Sequence, residues 1–550
     1  MSTQGARLSR PKHEYAKAAN HFDIQASFNQ LMDDIGLDAR DTGGAIRFVG
    51  ADPIFDSRFR IGASISIPIM AAAAGAAIVW RNRTGRGQDL SIDLRKAIHG
   101  VNPVYKFKPT INGFPYQSPA FSPIVSAGFV FDLFLTRDGR WVLPTGGYPH
   151  MINEWCSLLR CTPDKASIAT AILKWDGKDL DDLAAERNMV FALCRSKEEW
   201  ALHPQGELLA SKPLVEIEKI ADSEPEPFGP ADRPLSGVRV MSATHVIAGN
   251  TVSRTLAEQG AEVLHIEHPG EFEHEIFTYD PCVGHRSCWL DLKSPDGNRR
   301  GHELAAGADV FIDSYRGRAL SNLGFSPQEL AERRPGTIYC SVRGYGYDGL
   351  WANRAGFDME ALCVSGFTFD EGTPDHPRFP VTKVMNDFIA GYLGAAGITA
   401  ALIRRAKEGG SYHVKICLTR NAMWYQTLGL FDRDRSEFTG EEYQLLAPDT
   451  ITRQTPFGEL YRLAPPVQFS ATPGDWEDPI LTVRGSCKPE WLSSPARTAS
   501  GKPTLRVVRG NGGSRHTRAS AAAHRSATLK SARRGSKLRR HRPALKANLR

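Results

Sequence analysis

The chain has 550 residues and a mass of 60.5 kDa, with 41% hydrophobic and 23% charged residues. This ordinary globular composition excludes a fibrous or wholly disordered protein, and the length predicts about three or four globular units. Mean hydropathy is −0.33, and we find no apolar run that approaches the ~20 residues of a membrane span. The most apolar stretch, 61–80, is interrupted by Ser64, Ser66 and Pro68 and predicts a buried helix.

The net charge of +7 comes from the end of the chain. Residues 495–550 contain 16 Lys and Arg and no acidic residue, so the rest of the chain, with 52 basic and 61 acidic residues, has a net charge of −9. The segment has few large apolar residues and predicts a disordered basic tail. Two alternatives stay open for it: a nucleic-acid-binding tail, or an aberrant reading frame after about Glu490. For the protein as a whole we expect neither a nucleic-acid nor a membrane partner.

The cysteines predict a reducing compartment. There are nine, an odd number, and none forms a C-x-x-C pair: Cys156, Cys161, Cys194, Cys282, Cys288, Cys340, Cys363, Cys417 and Cys487. We therefore expect free thiols, no structural zinc and no other metal site. The N-terminus, 1–17, is polar and lacks the apolar core of a signal peptide, so we expect a cytoplasmic protein.

After a Pro-rich linker at 226–235, the chain reads as alternating strands and helices. The predicted strands are 237–241, 261–266, 309–313 and 337–342, and the predicted helices are 248–259, 303–308 and 327–334. Such alternation predicts βαβ units and a parallel sheet, so the expected fold class is α/β.

An internal repeat relates a segment near the start of the chain to a segment that begins at residue 400. Residues 76–94, AAIVWRNRTGRGQDLSIDL, and 400–418, AALIRRAKEGGSYHVKICL, both predict a helix, a Gly-containing turn and an alternating strand. The offset is 324 residues. We interpret the pair as a duplicated half-fold.

The turn after the first βαβ strand is a candidate phosphate site. A dinucleotide-binding protein would have G-x-G-x-x-G there, but 245–250 contains a single glycine, Gly249. Glu267 follows the next strand, where a ribose-binding acid would lie, but alone it is weak evidence for NAD. The predicted helix start at Gly249 still offers backbone amides to a phosphate.

Three cations lie at the ends of predicted α/β elements. Arg286 and Lys293 flank a strand-like run, and Arg316 follows the strand that ends at Asp313. This placement suits a polyanionic ligand such as a phosphorylated nucleotide, with ordinary solvated charge as the alternative. Gly344 and Tyr345, with Gly346, follow another strand end and either shape a ligand channel or form a mere tight turn.

Together these segments resemble a known family. The motifs are GVRV, HVIAG, LAEQGAEVLHIEHPGE, LDLKSPDG, ADVFIDSYRG, LGFSPQEL, GYGYDG and RAGFD, in that order over 237–430. This series resembles the family III CoA-transferases, the formyl-CoA and carnitine CoA-transferase class, which is related to the α-methylacyl-CoA racemases. Residues 60–225 resemble a second, partial stretch of the same family.

The resemblance implies a catalytic aspartate at Asp387, which opens the helix after the G-F-D segment. It implies an acyl-CoA:carboxylate CoA-transferase that works through an aspartyl-CoA thioester on Asp387. Coenzyme A would be a substrate, with no tightly bound cofactor, and Arg286, Lys293, Arg316 and Gly249 would contact its phosphates. An ordinary helix cap is the alternative role for Asp387. In the first copy the 324 offset places Ala63 opposite Asp387, so that copy has no nucleophile.

Two other functions stay open. Racemases of this superfamily have a histidine where this chain has Phe357, and without a second acid/base a proton cannot readily be moved on both faces of an α-carbon. This favours a transferase over a racemase-like isomerase. The second alternative is a non-catalytic CoA-binding relative.

The expected architecture is a Rossmann-like parallel sheet domain with a smaller α/β domain, a half-fold duplication and a disordered basic tail. The predicted boundaries are 1–125 for the partial repeat, 126–225 for the small α/β domain, 226–235 for the linker, 236–430 for the Rossmann-like domain with the active site, 431–494 for a C-terminal extension and 495–550 for the tail. The resemblance also implies a homodimer, because members of the family form interlocked rings of two subunits.

Overall fold

A seven-stranded sheet forms the centre of the protein, in the order β11-β10-β9-β12-β13-β14-β8. The computed structural model describes residues 22–101, 107–115, 129, 131–433 and 437–492, all within one compact unit, Met1–Ser494. The predicted tail at 495–550 lies outside the described residues. The strands of this sheet are β8 (Val215–Ala221), β9 (Arg239–Ala243), β10 (Glu262–Glu267), β11 (His285–Trp289), β12 (Val310–Asp313), β13 (Ile338–Arg343) and β14 (Ser411–Cys417).

Six of these strands are parallel and only β8, at one edge, is antiparallel. Taken from β9 onward, the parallel strands have the order 3-2-1-4-5-6, which is that of a Rossmann sheet. The predicted α/β class and Rossmann-like sheet are therefore confirmed. The burial of nearly every residue of β9, β10, β12 and β13 fits a sheet covered on both faces.

Three smaller sheets surround the large one. They are β1-β2-β17, β5-β6-β7 and β15-β16-β3-β4. Their strands are β1 (Ile46–Val49), β2 (Leu90–Asp93), β3 (Thr110–Ile111), β4 (Phe114–Pro115), β5 (Phe134–Leu135), β6 (Trp141–Pro144), β7 (Phe191–Leu193), β15 (Thr450–Thr455), β16 (Gly458–Leu463) and β17 (Val467–Phe469). The sheet β5-β6-β7 has its own apolar core with neighbouring helices, as expected for a smaller α/β domain, which stays a prediction.

The described residues contain sixteen α-helices. They are α1 (Ile24–Asp34), α2 (Ile61–Thr84), α3 (Leu94–Ala97), α4 (Pro149–Leu159), α5 (Lys165–Ile172), α6 (Gly177–Glu186), α7 (Lys197–Ala201), α8 (Pro204–Ala210), α9 (Ala248–Glu258), α10 (Glu275–Tyr279), α11 (Pro295–Ala306), α12 (Pro327–Arg333), α13 (Asp358–Val364), α14 (Phe367–Glu371), α15 (Met385–Glu408) and α16 (Leu418–Thr427). The helix predicted at 303–308 begins much earlier, because Ser294 caps it and Pro295 occupies its first turn.

The helices α2 and α15 are the central pair. Both have 24 residues, and their bounds coincide after a shift of 324. They pack on each other at corresponding positions, because a Cβ added to Gly75 would lie 2.8 Å from Cβ of Thr399. Both are long and apolar enough to span a membrane, so the expectation that no run reaches that length was wrong for them. Their apolar windows are wholly buried inside the protein, as predicted for 61–80.

Candidate active site

A cavity of about 660 Å³ opens at the carboxyl ends of β9, β12 and β13. His245 follows β9, Tyr315 and Arg316 follow β12, and Gly344 and Tyr345 follow β13; all five line it. The strand order reverses between β9 and β12, and this is where parallel α/β sheets form their ligand crevice. Residues 148–151, at the start of α4, complete the wall.

Asp387 lies in the first turn of α15 and is not among the residues that line this cavity. Its side chain is 6% exposed, and burial, followed by the charge of Glu360, raises the pKa of the carboxyl group to about 7. Its backbone amide donates to Oδ2 of Asp358 at 2.8 Å. Asp358 directly follows two wall residues, Gly356 and Phe357. A carboxyl group whose pKa is raised by burial to near neutral pH is typical of a functional site.

Three carboxyl groups are therefore packed together: Asp358, Glu360 and Asp387. Asp358 is fully buried, its Oδ1 has no hydrogen-bond partner among the described residues, and burial followed by the charge of Asp387 raises its pKa well above the ordinary value. Glu360 accepts hydrogen bonds from the Thr145 hydroxyl and, at 2.9 Å, from the Phe357 amide. Burial also raises its pKa. Like charges this close cannot all ionise, so the cluster retains protons near neutral pH.

Two residues with strained backbones flank the site. Val246, in the turn between β9 and α9, has φ = 61°, and Lys383, just before α15, has φ = 64°. A positive φ is costly for a β-branched residue such as Val246 and persists only when the surroundings impose it. Here the Val246 amide donates to Glu273 at 3.0 Å, and its carbonyl accepts from the Asn250 side chain at 2.9 Å.

The sequence did not indicate the acids of the cavity wall. The Tyr148 hydroxyl donates to Glu273 at 2.8 Å, and the Tyr315 hydroxyl donates to Glu271 at 2.9 Å. Burial, then the charges of Glu273, Glu271 and finally Asp387, raise the pKa of Tyr148 well above its ordinary value. Tyr148 is thus close enough to Asp387 to sense its charge. A signal was present in the closely spaced acids of 271–275, but their partners come from distant segments.

The structure brings together only some of the residues that we predicted to contact CoA. Arg316, Gly344 and Tyr345 line the cavity. Arg316 donates to the carbonyl and side-chain oxygens of Asn188 at 3.2 and 3.1 Å and forms no ion pair with a carboxylate among the described residues. An exposed guanidinium without an acidic partner suits a phosphate. Tyr345 is buried, and its hydroxyl has no partner in the described part of the chain.

Arg286, Lys293 and Gly249 do not line the cavity. Arg286 is the second residue of β11, so it lies near the amino end of the sheet, where it pairs with Glu262 at 3.0 Å and donates to the Glu490 carbonyl at 2.8 Å. Lys293 is exposed beyond the end of β11. Gly249 lies in the first turn of α9, where an added Cβ would lie 2.6 Å from Cγ2 of Thr244 and 2.8 Å from Cβ of Ser314. This contact requires glycine for packing.

Part of the chain matches a known protein family. A family model described as CoA-transferase family III matches residues 235–464. An acetyl-coenzyme A transferase from Hypoxylon pulicicidum is 26% identical over 328 residues, which cover 55% of this chain and 55% of that protein. An acyl-CoA transferase from Gibberella moniliformis is 30% identical over 329 residues, covering 55% and 56%.

The human succinyl-CoA:glutarate CoA-transferase is 33% identical over 189 residues, covering 32% of this chain and 43% of that protein. The chain thus spans about half the length of the curated relatives it matches. Among solved structures, a CaiB/BaiF family protein from Brucella suis is 28% identical with a TM-score of 0.33, and it covers 35% of this chain and 55% of that one.

Proposed function

We propose, from the match of residues 235–464 to CoA-transferase family III, that the protein moves coenzyme A between an acyl-CoA donor and a carboxylic acid acceptor. The observation that carries the proposal is Asp387, a buried carboxyl group at the start of α15. Its backbone amide donates to Asp358, the residue that follows Phe357 of the cavity wall. The names of the relatives, which include succinyl-CoA:glutarate and succinyl-CoA:malate CoA-transferases, support the substrate class.

In the proposed mechanism, the ionised carboxylate of Asp387 attacks the thioester carbonyl of the donor. The carbon–sulfur bond breaks, which gives a mixed anhydride and the CoA thiolate. The thiolate then attacks the aspartyl carbonyl and releases the donor acid, leaving an aspartyl-CoA thioester. The acceptor carboxylate repeats these two steps in reverse order, which forms the new acyl-CoA and restores the carboxylate of Asp387.

The surroundings of Asp387 support this role. Burial protects an anhydride from water, and the N-terminal dipole of α15 favours the ionised form that must attack. When Asp358 and Glu360 are ionised, their negative charges oppose the ionisation of Asp387. A proton retained on either of these neighbours therefore helps Asp387 to ionise.

We place CoA in the cavity, with Arg316 near its phosphates and Gly344 and Tyr345 along the pantetheine or acyl channel. Their position in the cavity wall supports this. Arg286, Lys293 and Gly249, the other predicted contacts, have less support, because they lie outside the wall. Phe357 lines the cavity where a racemase would have histidine, which favours transfer over isomerisation.

The test is to trap the aspartyl intermediate. Incubation with a reactive acyl-CoA and then hydroxylamine should convert Asp387 to a hydroxamate, seen as a mass shift of its peptide. Asp387→Asn should lower turnover by several orders of magnitude with little change in CoA affinity. Asp358→Asn is the matched control and should still form the adduct on Asp387. Normal transfer by Asp387→Asn would refute the mechanism, and CoA binding without turnover by the wild-type protein would identify a non-catalytic relative.

We further propose that the enzyme is a cytoplasmic homodimer. All nine cysteines are free thiols, which supports a reducing compartment. We propose the dimer because the chain resembles family members that form interlocked rings of two subunits. Sedimentation as a monomer at micromolar concentration would refute the dimer. It would instead support the alternative that the duplicated half-fold within one chain replaces the pairing of two subunits.

A further inference from the structure

Three potential metal ligands meet behind the turn that follows β9. His265 lies on β10, His285 begins β11, and Cys282 precedes it by three residues. The register pairs Val263 with His285, so the two histidines lie on the same face of the sheet, with ring centroids 5.5 Å apart. The Cys282 sulfur is 4.0 Å from Nδ1 of His265, and the donor atoms of all three residues lie within 4.8 Å of one another.

The imidazole of His285 has no role in the hydrogen bonding of the described residues. Its side chain is 2% exposed, and neither ring nitrogen has a hydrogen-bond partner among the described residues. A buried imidazole without hydrogen-bond partners is costly to desolvate, so such a group requires an explanation. Burial lowers its pKa well below the ordinary value, and the neutral ring is the form that binds a metal.

The surroundings orient the other ligands. Nε2 of His265 is 2.9 Å from the Thr244 carbonyl, which can only accept, so this nitrogen carries the proton and Nδ1 presents its lone pair to the cluster. A carboxylate oxygen of Glu267 lies 3.7 Å from that Nδ1 and is held by Ser287, while Arg484 binds the other oxygen at 2.6 Å. His265, Glu267 and Cys282 also line a small void of about 10 Å³, whose lining does not include His285.

We propose that His265, Cys282 and His285 bind one Zn²⁺ through Nδ1 of His265, Sγ of Cys282 and a ring nitrogen of His285, with Glu267 as the nearest source of a fourth ligand. Zinc prefers nitrogen and thiolate ligands at about 2.0–2.3 Å in a tetrahedral arrangement, which places the ligand atoms about 3.3–3.6 Å apart. The donor atoms here lie within 4.8 Å of one another, so on binding the side chains have to approach by up to about 1.5 Å. On binding, the Cys282 thiol gives up its proton to solvent, and the sulfur–zinc bond forms in its place.

The metal would fix the loop between β10 and β11. This loop carries Glu271 and Glu273, which bind Tyr315 and Tyr148 in the cavity wall. Thr244, whose carbonyl orients His265, also donates to Asn250 in the first turn of α9. The site is structural and does not require the proposed transfer reaction. The sequence signal that we missed is C-x-x-H at 282–285, because only C-x-x-C pairs were considered.

The test uses the purified full-length protein and zinc itself. We expect one zinc per chain by elemental analysis, retained in competition with a chromophoric chelator, and a higher thermal midpoint with zinc than after its removal. Replacement by Co²⁺ should give the near-ultraviolet absorption of a thiolate–cobalt bond. A wild-type protein that takes up no zinc and shows no cobalt–thiolate band would overturn the proposal, whatever its transferase activity.

The variants assign the ligands. Cys282→Ala and His285→Ala should each lose the bound zinc and the cobalt band, whereas Cys340→Ala, which removes a buried thiol from β13, should retain both. His265→Gln gives a second measurement should Cys282→Ala fail to fold. Zinc affinity in Cys282→Ala equal to that of the wild type would overturn the assignment.

Discussion

The backbone amide of Asp387 donates a 2.8 Å hydrogen bond to Oδ2 of Asp358, so the second aspartate caps the helix that presents the first. The same arrangement occurs at the equivalent helix, where the Gly62 and Ala63 amides donate to Asp52 at 2.8 and 2.7 Å. Ala63 corresponds to Asp387 after the 324-residue shift. The two helix starts thus share a carboxylate cap, but only one of them carries a second carboxyl group.

The raised pKa of Asp387 predicts that the reaction rate falls at acid pH. Because Asp387 must be ionised to attack and its pKa is about 7, kcat/KM should fall below about pH 7, approaching tenfold per pH unit. Glu360→Gln removes the neighbouring charge that helps to raise this pKa, so its acid limb should move to lower pH. Steady-state rates across the pH range check both expectations. A wild-type profile that is flat from about pH 5 to 8 would contradict the role of the carboxylate.

The same shift predicts that the nucleophile costs stability. The folded state raises the pKa of Asp387 from 3.8 to about 7, so it binds the proton more tightly than the unfolded chain does. Stability therefore falls as the pH rises from about 4 to 7, by at most about 1.4 kcal/mol per pH unit, and stays low above that range. Asp387→Asn should have a higher thermal midpoint than the wild type, with a difference that widens over this range. An equal difference at about pH 4 and pH 8 would exclude this explanation.

Substitution of two arginines tests whether CoA binds in the cavity or at the amino edge of the sheet. Arg316→Ala should raise KM for acyl-CoA about tenfold with little change in kcat, because it removes a cation from the cavity wall. Arg286→Ala removes an ion pair with Glu262 and should leave KM unchanged while lowering the thermal midpoint slightly. A larger effect of Arg286→Ala on KM would show that CoA binds at the amino edge instead.

The packing of α2 on α15 predicts a steric effect. Gly75→Ala should destabilise the protein by about 1–3 kcal/mol, because the new methyl group would overlap Thr399 in a filled core. Gly229→Ala is the matched control, since a Cβ there would meet nothing within 4 Å. Chemical denaturation of both variants checks the difference. Thr399→Ala should partly restore the stability of Gly75→Ala, and additive effects of the two substitutions would show that the residues do not touch.

Local patterns predicted the scaffold of the site well. Buried apolar runs marked β9, β10, β12 and β13 to within about two residues, because short-range periodicity is carried by a single sequence. The position of Asp387 at the start of a helix, which the family resemblance implied, agrees with its place in the first turn of α15.

Relationships across the fold were not predictable in the same way. Arg286 and Lys293 were predicted to flank one strand, and Arg286 lies near the amino end of β11 while Lys293 follows its carboxyl end, so the two cations lie at opposite ends of the strand. The contacts of Glu360 with Thr145 and of Tyr148 with Glu273 join segments more than a hundred residues apart. The positive φ of Val246 is imposed by Glu273 and Asn250, which the local sequence does not reveal.

The pairing of β17 with β2 has a consequence for synthesis on the ribosome. Leu90 pairs with Phe469, so the sheet that β1 and β2 begin is completed only after translation has passed residue 469. The helix α2, buried on nearly every side in the finished protein, must likewise wait for α15 to emerge. During that interval the nascent chain exposes an unpaired strand edge and a long apolar helix, both of which favour aggregation. We therefore expect the emerging N-terminal segment to be a chaperone client until the last quarter of the chain has been made.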